Sequence, residues 1–385
     1  MTNALTPQTI SAGVLAALIG FAASFAIVIA GLTAVGASEA QAVSGLAALN
    51  ITTGIASLVL AIRFKMPMAV AWSTPGAALL ATLAVPEGGY AEATGAFVVS
   101  SLMILVTGLV PRLRQWVEAI PLSLSSAMLA GVLINICLVP FTTVAAMPLI
   151  AGPVVLVWFV VNLTRKLWAL PAAVITAGVV CAWGGYVPEQ VQWQVSEPVW
   201  VTPVFSWAST IGIALPLFLV TMTSQNLAGL AVLKANGYRP PLSPALRLTG
   251  LLSVLNAPFG GHHINLAALT AALCANEDVH PDPGKRYGAV IAAGLVFIVM
   301  GLGTSVMMQY ALAAPDNLIE TIGGLALLGA LLGAVVQAFD APASRESALL
   351  CFLITASGIA IAGIGSAFWG LLVGGLVFKL RAGRA

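Results

Sequence analysis

Two histidines, His262 and His263, stand side by side two residues before Asn265, inside a stretch (256–274, NAPFGGHHINLAALTAALC) that is otherwise mostly apolar. Imidazole takes up a proton near neutral pH, and an amide both donates and accepts hydrogen bonds, so this group is equipped to hold an anion and a proton. Pro258, Gly260 and Gly261 interrupt the helix before it, and small residues that favour helix follow it. A second stretch, 66–82 (MPMAVAWSTPGAALLAT), has the same design, with Ser73, Thr74, Pro75 and Gly76 at the turn into a small-residue helix. A third polar group, Thr221, Thr223, Ser224, Gln225 and Asn226, sits within the apolar run 215–230. Amides in such a run are costly unless they are paired or face a cavity. Each group also has a plainer reading. The kinks can serve packing, Gln225 and Asn226 can join helices by hydrogen bonds, and a buried histidine can be a neutral one satisfied by backbone.

The elements that must position these residues lie in a bilayer. Hydrophobic residues make up 60% of the 385-residue chain and charged residues 7%, against about 25% charged in soluble domains. Mean hydropathy is +1.03, which excludes a soluble enzyme, and a net charge of +2 gives no reason to expect nucleic acid. Cys137, Cys181, Cys274 and Cys351 stand singly in apolar runs and read as small buried hydrophobes, without disulfide or zinc spacing. The first apolar run lacks a basic leader flank and is long enough to span, so it is read as retained.

A helix needs about 20 apolar residues to cross the hydrocarbon. That length predicts spans at 10–35, 40–62, the broken element 66–84, 92–110, 121–140, 148–163 and 168–184. A polar interval at 185–207 carries Trp193, Trp200 and Trp207, as an interfacial loop with aromatic anchors would. The second half is predicted at 208–234, 243–256, the broken element to 275, 287–312, 317–339, 346–362 and 364–380. All fifteen Lys and Arg, from Arg63 to Arg384, follow even-numbered spans, whereas Glu39, Glu87, Glu92, Glu189, Glu197, Asp316 and Glu320 lie in the odd loops. Positive residues mark the cytoplasmic side, so both termini are expected inside, in the inner (cytoplasmic) membrane.

The expected fold is therefore an all-α polytopic membrane protein of about 14 spans. Residues 1–184 form one seven-span repeat, 185–207 a connecting loop and 208–385 a second repeat, with the broken elements about 190 residues apart. Seven spans per half make the repeat inverted. The N-terminal ends of the two half-helices, after Pro75-Gly76 and near residues 263–265, are then expected to meet at the midplane, where helix N-termini favour an anion. Ser24, with Phe21 and Phe25 on one face of span 1, is expected to line the cavity, although Phe21 and Phe25 also suit a packed core. No Asp or Glu falls at the middle of a span, which disfavours cations and basic amines as ligands. Adjacent histidines on an extended strand point to opposite sides, so one of the pair is expected to face the cavity. Gly323, Gly324, Gly329 and Gly333 suit close helix packing.

At AWSTPGAALL, LFLVTMTSQN, APFGGHHINLAALTAALC with the following HPDP (280–283), and GIGSAFWGL (363–371), the chain resembles the benzoate–proton symporter family over essentially its whole length. That family is related to nucleobase–cation symporters and sulfate-type anion transporters. The resemblance implies short strands in spans 3 and 10, a core domain of spans 1–4 and 8–11, a gate domain of spans 5–7 and 12–14, and an elevator-like motion. It also implies import of benzoate or a similar aromatic carboxylate with a proton. The alternative is a uniporter or symporter of another small organic anion or a nucleobase-like compound. A membrane-embedded enzyme using the histidines lacks a partner nucleophile. Nucleobase relatives place glutamates on spans 8 and 10 where this chain has Gln225 and, within one residue, His262, an amide and an imidazole that suit a carboxylate ligand. The substrate set expected is Ser24, Phe25, Ser73, Thr74, Gly76, Gln225, Asn226, Gly261, His262 and Asn265, with His262 and His263 as the proton-coupling pair and His262 the residue expected to carry the proton, His263 if the strand register is shifted by one. The expected partners are an aromatic carboxylate, a proton and the lipid bilayer, with a homodimer left open and no metal or cofactor.

Overall fold

In a bilayer the backbone has few choices: helix where an apolar run is unbroken, and paired strand, buried in protein, where it is not. The computed structural model describes residues 4–22, 24–118, 120–315, 317–361 and 364–382. Asp316 and Arg384 of the charge pattern, the predicted end of span 13 at Ala362, and Gly363 of the family-like ending lie outside the described residues. The first half runs α1 (Pro7–Ala22), α2 (Phe25–Ala34), α3 (Glu39–Phe64), β1 (Val70–Trp72), α4 (Thr74–Ala81) and α5 (Gly89–Leu109). It continues through a short α6 (Pro111–Glu118), α7 (Leu122–Ala146), α8 (Pro148–Thr164) and α9 (Lys166–Gly184). The second half runs α10 (Trp207–Ala235), α11 (Leu242–Asn256), β2 (Ile264–Leu266), α12 (Ala268–Ala275), α13 (Tyr287–Leu302) and α14 (Thr304–Ala313). It ends with α15 (Leu318–Phe339), α16 (Arg345–Ala356) and α17 (Ser366–Ala382). The 26 residues of α3 reach about 39 Å, enough for a hydrocarbon core of about 30 Å.

The packing partners repeat between the halves. α3 packs on α13 as α11 packs on α5, α2 packs on α4 as α10 packs on α12, and α7 packs on α15. At the centre, β1 and β2 pair antiparallel, with Val70 opposite Leu266, Ala71 opposite Asn265 and Trp72 opposite Ile264. Each strand of this ribbon has an outer edge whose N–H groups need partners. Ser57 Oγ of α3 accepts from Val70 N at 3.0 Å, and Ser253 Oγ of α11 accepts from Ile264 N at 3.0 Å. Asn226 Oδ1 of α10 accepts from Leu266 N at 3.1 Å. Both broken spans are thus pinned by side chains from neighbouring helices.

Small residues let these helices approach closely. An added Cβ would lie 2.4 Å from the Ala77 carbonyl oxygen at Gly31 and 2.4 Å from the Gly294 carbonyl oxygen at Gly54. Gly323 and Gly324 on α15 do the same against Ile27 and the Ile136 carbonyl, but Gly329 and Gly333 face open space, so close packing does not explain that pair. Residues 185–206 form an irregular strap whose backbone N–H groups bond to the ends of core helices: Val199 to Ser44 Oγ, Val201 to the Pro258 carbonyl and Val204 to the Ala91 carbonyl. Trp193 and Trp207 are almost fully exposed there, as interfacial anchors are.

Several boundaries differ from expectation. Span 1 is not one helix over 10–35 but two, meeting at Ser24, and span 11 breaks at Gly303. α7 continues through Pro140 to Ala146. Half-helix α12 begins at Ala268, later than the expected 263–265, because Ile264–Leu266 are held in the ribbon.

Candidate substrate site

The turn into α4 is built by Ser73, whose Oγ accepts from Gly76 N at 3.2 Å as an N-cap. Gly76 can approach because it has no side chain; a Cβ there would meet Leu217 and Ser73 Oγ, each at 2.7 Å. The Ser73 and Thr221 hydroxyls share a hydrogen bond of 2.8 Å, and Thr221 Oγ1 lies 3.2 Å from His263 Nδ1. Ser73 N also donates to the His263 carbonyl at 3.0 Å. This hydrogen-bonded set joins span 3, span 8 and span 10 in the protein interior.

Span 8 is wound unusually to meet it. Thr221–Asn226, the polar stretch TMTSQN, forms a π-helical segment within α10, and a second π segment covers Thr210–Ala214. Such segments are rare and concentrate at functional sites. Gln225 lies within the first one. Its side chain makes no hydrogen bond among the described residues, and it lines a cavity of about 200 Å³ with Pro75, Ser224, Ser126, Leu129 and Gln337. The far wall belongs to α7 and α15, where Ser126 Oγ donates to Gln337 Oε1 at 2.8 Å. That bond leaves the Gln337 NH2 group free to donate. No acidic or basic side chain lines this cavity. It is smaller than the roughly 300–1,000 Å³ of pockets for drug-sized ligands, and so fits a small one.

The sequence-predicted residues distribute unevenly around it. Gln225 is on the cavity wall, and Thr74 and Gly76 flank Pro75, which is also on it. Asn226 is fully buried and occupied by the β2 edge, with Nδ2 on Met222 Sδ at 3.4 Å. His263 belongs to the Ser73–Thr221 set. His262 packs edge-on to Phe97 with ring centroids 6.4 Å apart and lies equally far, 6.4 Å, from the His263 ring, with the Ser73 backbone as a polar neighbour and neither ring nitrogen in a hydrogen bond. Asn265 is buried opposite Ala71, with Nδ2 on the adjacent Leu266 carbonyl and Oδ1 without a partner among the described residues.

Ser24 accepts from Trp72 Nε1 at 2.9 Å and donates to the Gly20 carbonyl at 2.9 Å, which ties the break in span 1 to β1. Phe25 stacks parallel on Phe21 at 5.2 Å, and Phe21 meets Trp72 edge-on at 5.9 Å. Gly261 differs from expectation. A Cβ there would come within 2.8 Å of the Asn256 side chain, whose Nδ2 donates to Thr52 Oγ1, so its smallness makes room for Asn256. The two half-helix ends differ as well. The α4 end is capped by Ser73, whereas Ala267 gives the α12 end no side-chain cap. Ser126 of α7 and Gln337 of α15 were not among the sequence-predicted set. Gln337 carries the same signal that marks Gln225, an uncharged amide inside an apolar span.

The family profile described as benzoate membrane transport protein matches residues 3–380. The chain is 39% identical over 375 residues to inner membrane protein YdcO of Escherichia coli (strain K12), covering 97% of this chain and 96% of that protein. It is 34% identical over 333 residues to the benzoate membrane transport protein of Acinetobacter baylyi (strain ATCC 33305 / BD413 / ADP1), covering 86% and 84%. Among solved structures, the transmembrane domain of a cyanobacterium bicarbonate transporter, BicA, superposes with a TM-score of 0.62 at 17% identity, covering 96% of this chain and 97% of that one. SLC26A9 superposes with a TM-score of 0.65 at 16% identity, covering 97% of this chain and 65% of that one. At such identities the likeness speaks to the fold, which is the inverted-repeat transporter fold with its two short strands. With the profile matched almost end to end and relatives above 30% identity over most of its length, the chain belongs to the benzoate membrane transport protein family and is a multi-pass membrane transporter.

Proposed function

We propose that this transporter imports benzoate or a similar aromatic carboxylate together with a proton across a bacterial inner membrane, with both termini cytoplasmic. The observation that carries this reading is the small cavity between Pro75, Gln225, Ser126 and Gln337, which offers the Gln225 and Gln337 amides as donors and no negative charge. A carboxylate there accepts from Gln225 and the free Gln337 NH2, beside the N-terminal end of α4. Spans 1–4 and 8–11 would carry the site as a core moving against the gate of spans 5–7 and 12–14, since the cavity lies between members of the two sets. Names of relatives and the segregated charges support the substrate class, the membrane and the orientation.

The proton is assigned to the histidine pair, and the geometry favours His263. It bonds to Thr221, one turn of α10 from Gln225, whereas His262 packs on Phe97. A carboxylate near an imidazolium stabilises it, and by linkage the proton strengthens carboxylate binding equally. The pair crosses the low-dielectric barrier near neutrality, which lowers the cost of moving it. A competition panel tests the substrate class: benzoate, substituted benzoates, aliphatic acids and nucleobases against labelled benzoate on the purified protein. Aromatic carboxylates should compete best. Displacement by nucleobases at lower concentration than by benzoate would instead favour a nucleobase-like substrate.

A further inference from the structure

A second cavity, of about 440 Å³, opens between α5 and α10 near the end of α5 that leads into α6. Its walls are apolar but for one threonine: Leu102, Met103, Val106, Leu113, Ile120 and Phe218 form most of them. The one hydroxyl on its wall, Thr107, is satisfied by the Met103 carbonyl at 2.7 Å. Leu102 and Val106 are exposed, so the groove faces the hydrocarbon rather than the interior.

Two arginines adjoin residues that line the groove, Arg112 next to Leu113 and Arg247 bonded at Gly108 next to Thr107. α6 (Pro111–Glu118) carries Arg112, which is exposed and makes no hydrogen bond or ion pair among the described residues. Arg247 of α11 is fixed against the groove wall, where its Nε donates to the Gly108 carbonyl at 2.9 Å, one residue beyond Thr107. Gly108 makes this approach possible, since a Cβ there would lie 2.8 Å from Arg247 N. Arg247 as a whole is exposed, and Nε is the atom it commits to the bond with Gly108. An apolar slot whose lining residues adjoin two arginines has the chemistry of an acyl chain below a phosphate.

We infer that this groove is a site for an anionic phospholipid, with one acyl chain lying between α5 and α10 and the headgroup phosphate between Arg112 and Arg247. The site adjoins the transport machinery. Phe218 precedes Thr221 by three residues on α10, and α6 packs against the π segment Thr221–Asn226. α6 is also the connection between span 4 and span 5, so an occupied groove braces the joint between the two proposed moving bodies.

The test needs neither the substrate nor the membrane orientation. The full-length chain, stripped of lipid in a non-ionic detergent, is titrated with phosphatidylglycerol or phosphatidylcholine, and bound lipid is counted by native mass spectrometry. Phosphatidylglycerol should be retained about tenfold better, and Arg112→Gln should cut that preference about fivefold, the effect of one basic residue near a membrane surface. Because Arg112 is exposed and makes no hydrogen bond or ion pair among the described residues, its variant is expected to fold as the parent does. Val106→Trp, which fills the slot, should reduce retention of both lipids. Equal retention of the two lipids by the parent chain would overturn the inference, as would an undiminished preference in Arg112→Gln. Phosphatidylglycerol preference surviving in a folded Val106→Trp would place the anion on a surface patch and overturn the groove.

Discussion

Gln225 is the residue on which the proposed site turns, because it is a free amide on a cavity wall inside an apolar helix. If it hydrogen-bonds the ligand, Gln225→Ala weakens benzoate binding by about 1–3 kcal/mol, the cost of leaving a buried polar partner unsatisfied. Thermal stability should stay unchanged, since the side chain makes no hydrogen bond among the described residues; equal affinity with a lower melting temperature would make it a packing residue. The histidines divide differently. Benzoate affinity of the parent protein should rise as pH falls from about 8 to about 6, around the reference value for imidazole. His263→Gln should keep binding and lose that rise, while His262→Gln keeps both. Loss only in His262→Gln would move the proton to the residue beside Phe97. Retained dependence in both variants would leave carriage as neutral benzoic acid. Gln225 and the histidine pair were legible in the sequence as polar groups in the wrong solvent. Which histidine meets Thr221 was not, because that depends on the pairing of residues some 190 positions apart. Asn226 shows the limit in the other direction: adjacent to Gln225 and equally polar, it is consumed by the edge of β2.

At the scale of elements, the two-stranded ribbon depends on serines that no motif marks. Ser57 and Ser253 occupy like places in the two halves, each accepting from an outer-edge N–H of a strand. Ser253→Ala and Ser57→Ala should each lower stability by about 1–3 kcal/mol through the orphaned N–H, measured as a fall in melting temperature that saturating benzoate only partly restores. No loss in either would mean that water takes the serine's place. Gly261→Val should lose binding and stability together, because its Cβ strikes Asn256. Lost binding with unchanged stability would return Gly261 to the ligand. The broken spans 3 and 10 were readable from Pro75 and from Pro258 with its glycines. The break at Ser24 was not, since no proline or glycine adjoins it and its hydroxyl is engaged by Trp72 from a different span. The π winding of Thr221–Asn226 was likewise invisible, although the polar run that adopts it stood out.

For the whole molecule, the alternation of basic and acidic loops carried more information than hydropathy did. Only seven helices are long and apolar enough to count as spans by themselves among the described residues, because the others are short or interrupted. Charge segregation corrected for this, and the inverted pairing of α3 with α13 and α11 with α5 follows the same symmetry. The cavity between Gln225 and Gln337 lies where the two proposed bodies face each other, so in the proposed mechanism the site would travel with the core. The most direct test of the account is uptake of labelled benzoate into sealed proteoliposomes holding the purified protein, with an inward proton gradient imposed and then abolished by a protonophore. The account predicts accumulation above the level of protein-free liposomes, collapse of that excess when the gradient is removed, and its loss in Gln225→Ala. Uptake no greater than in protein-free liposomes, or uptake that equilibrates at the same level with and without the gradient, would contradict it.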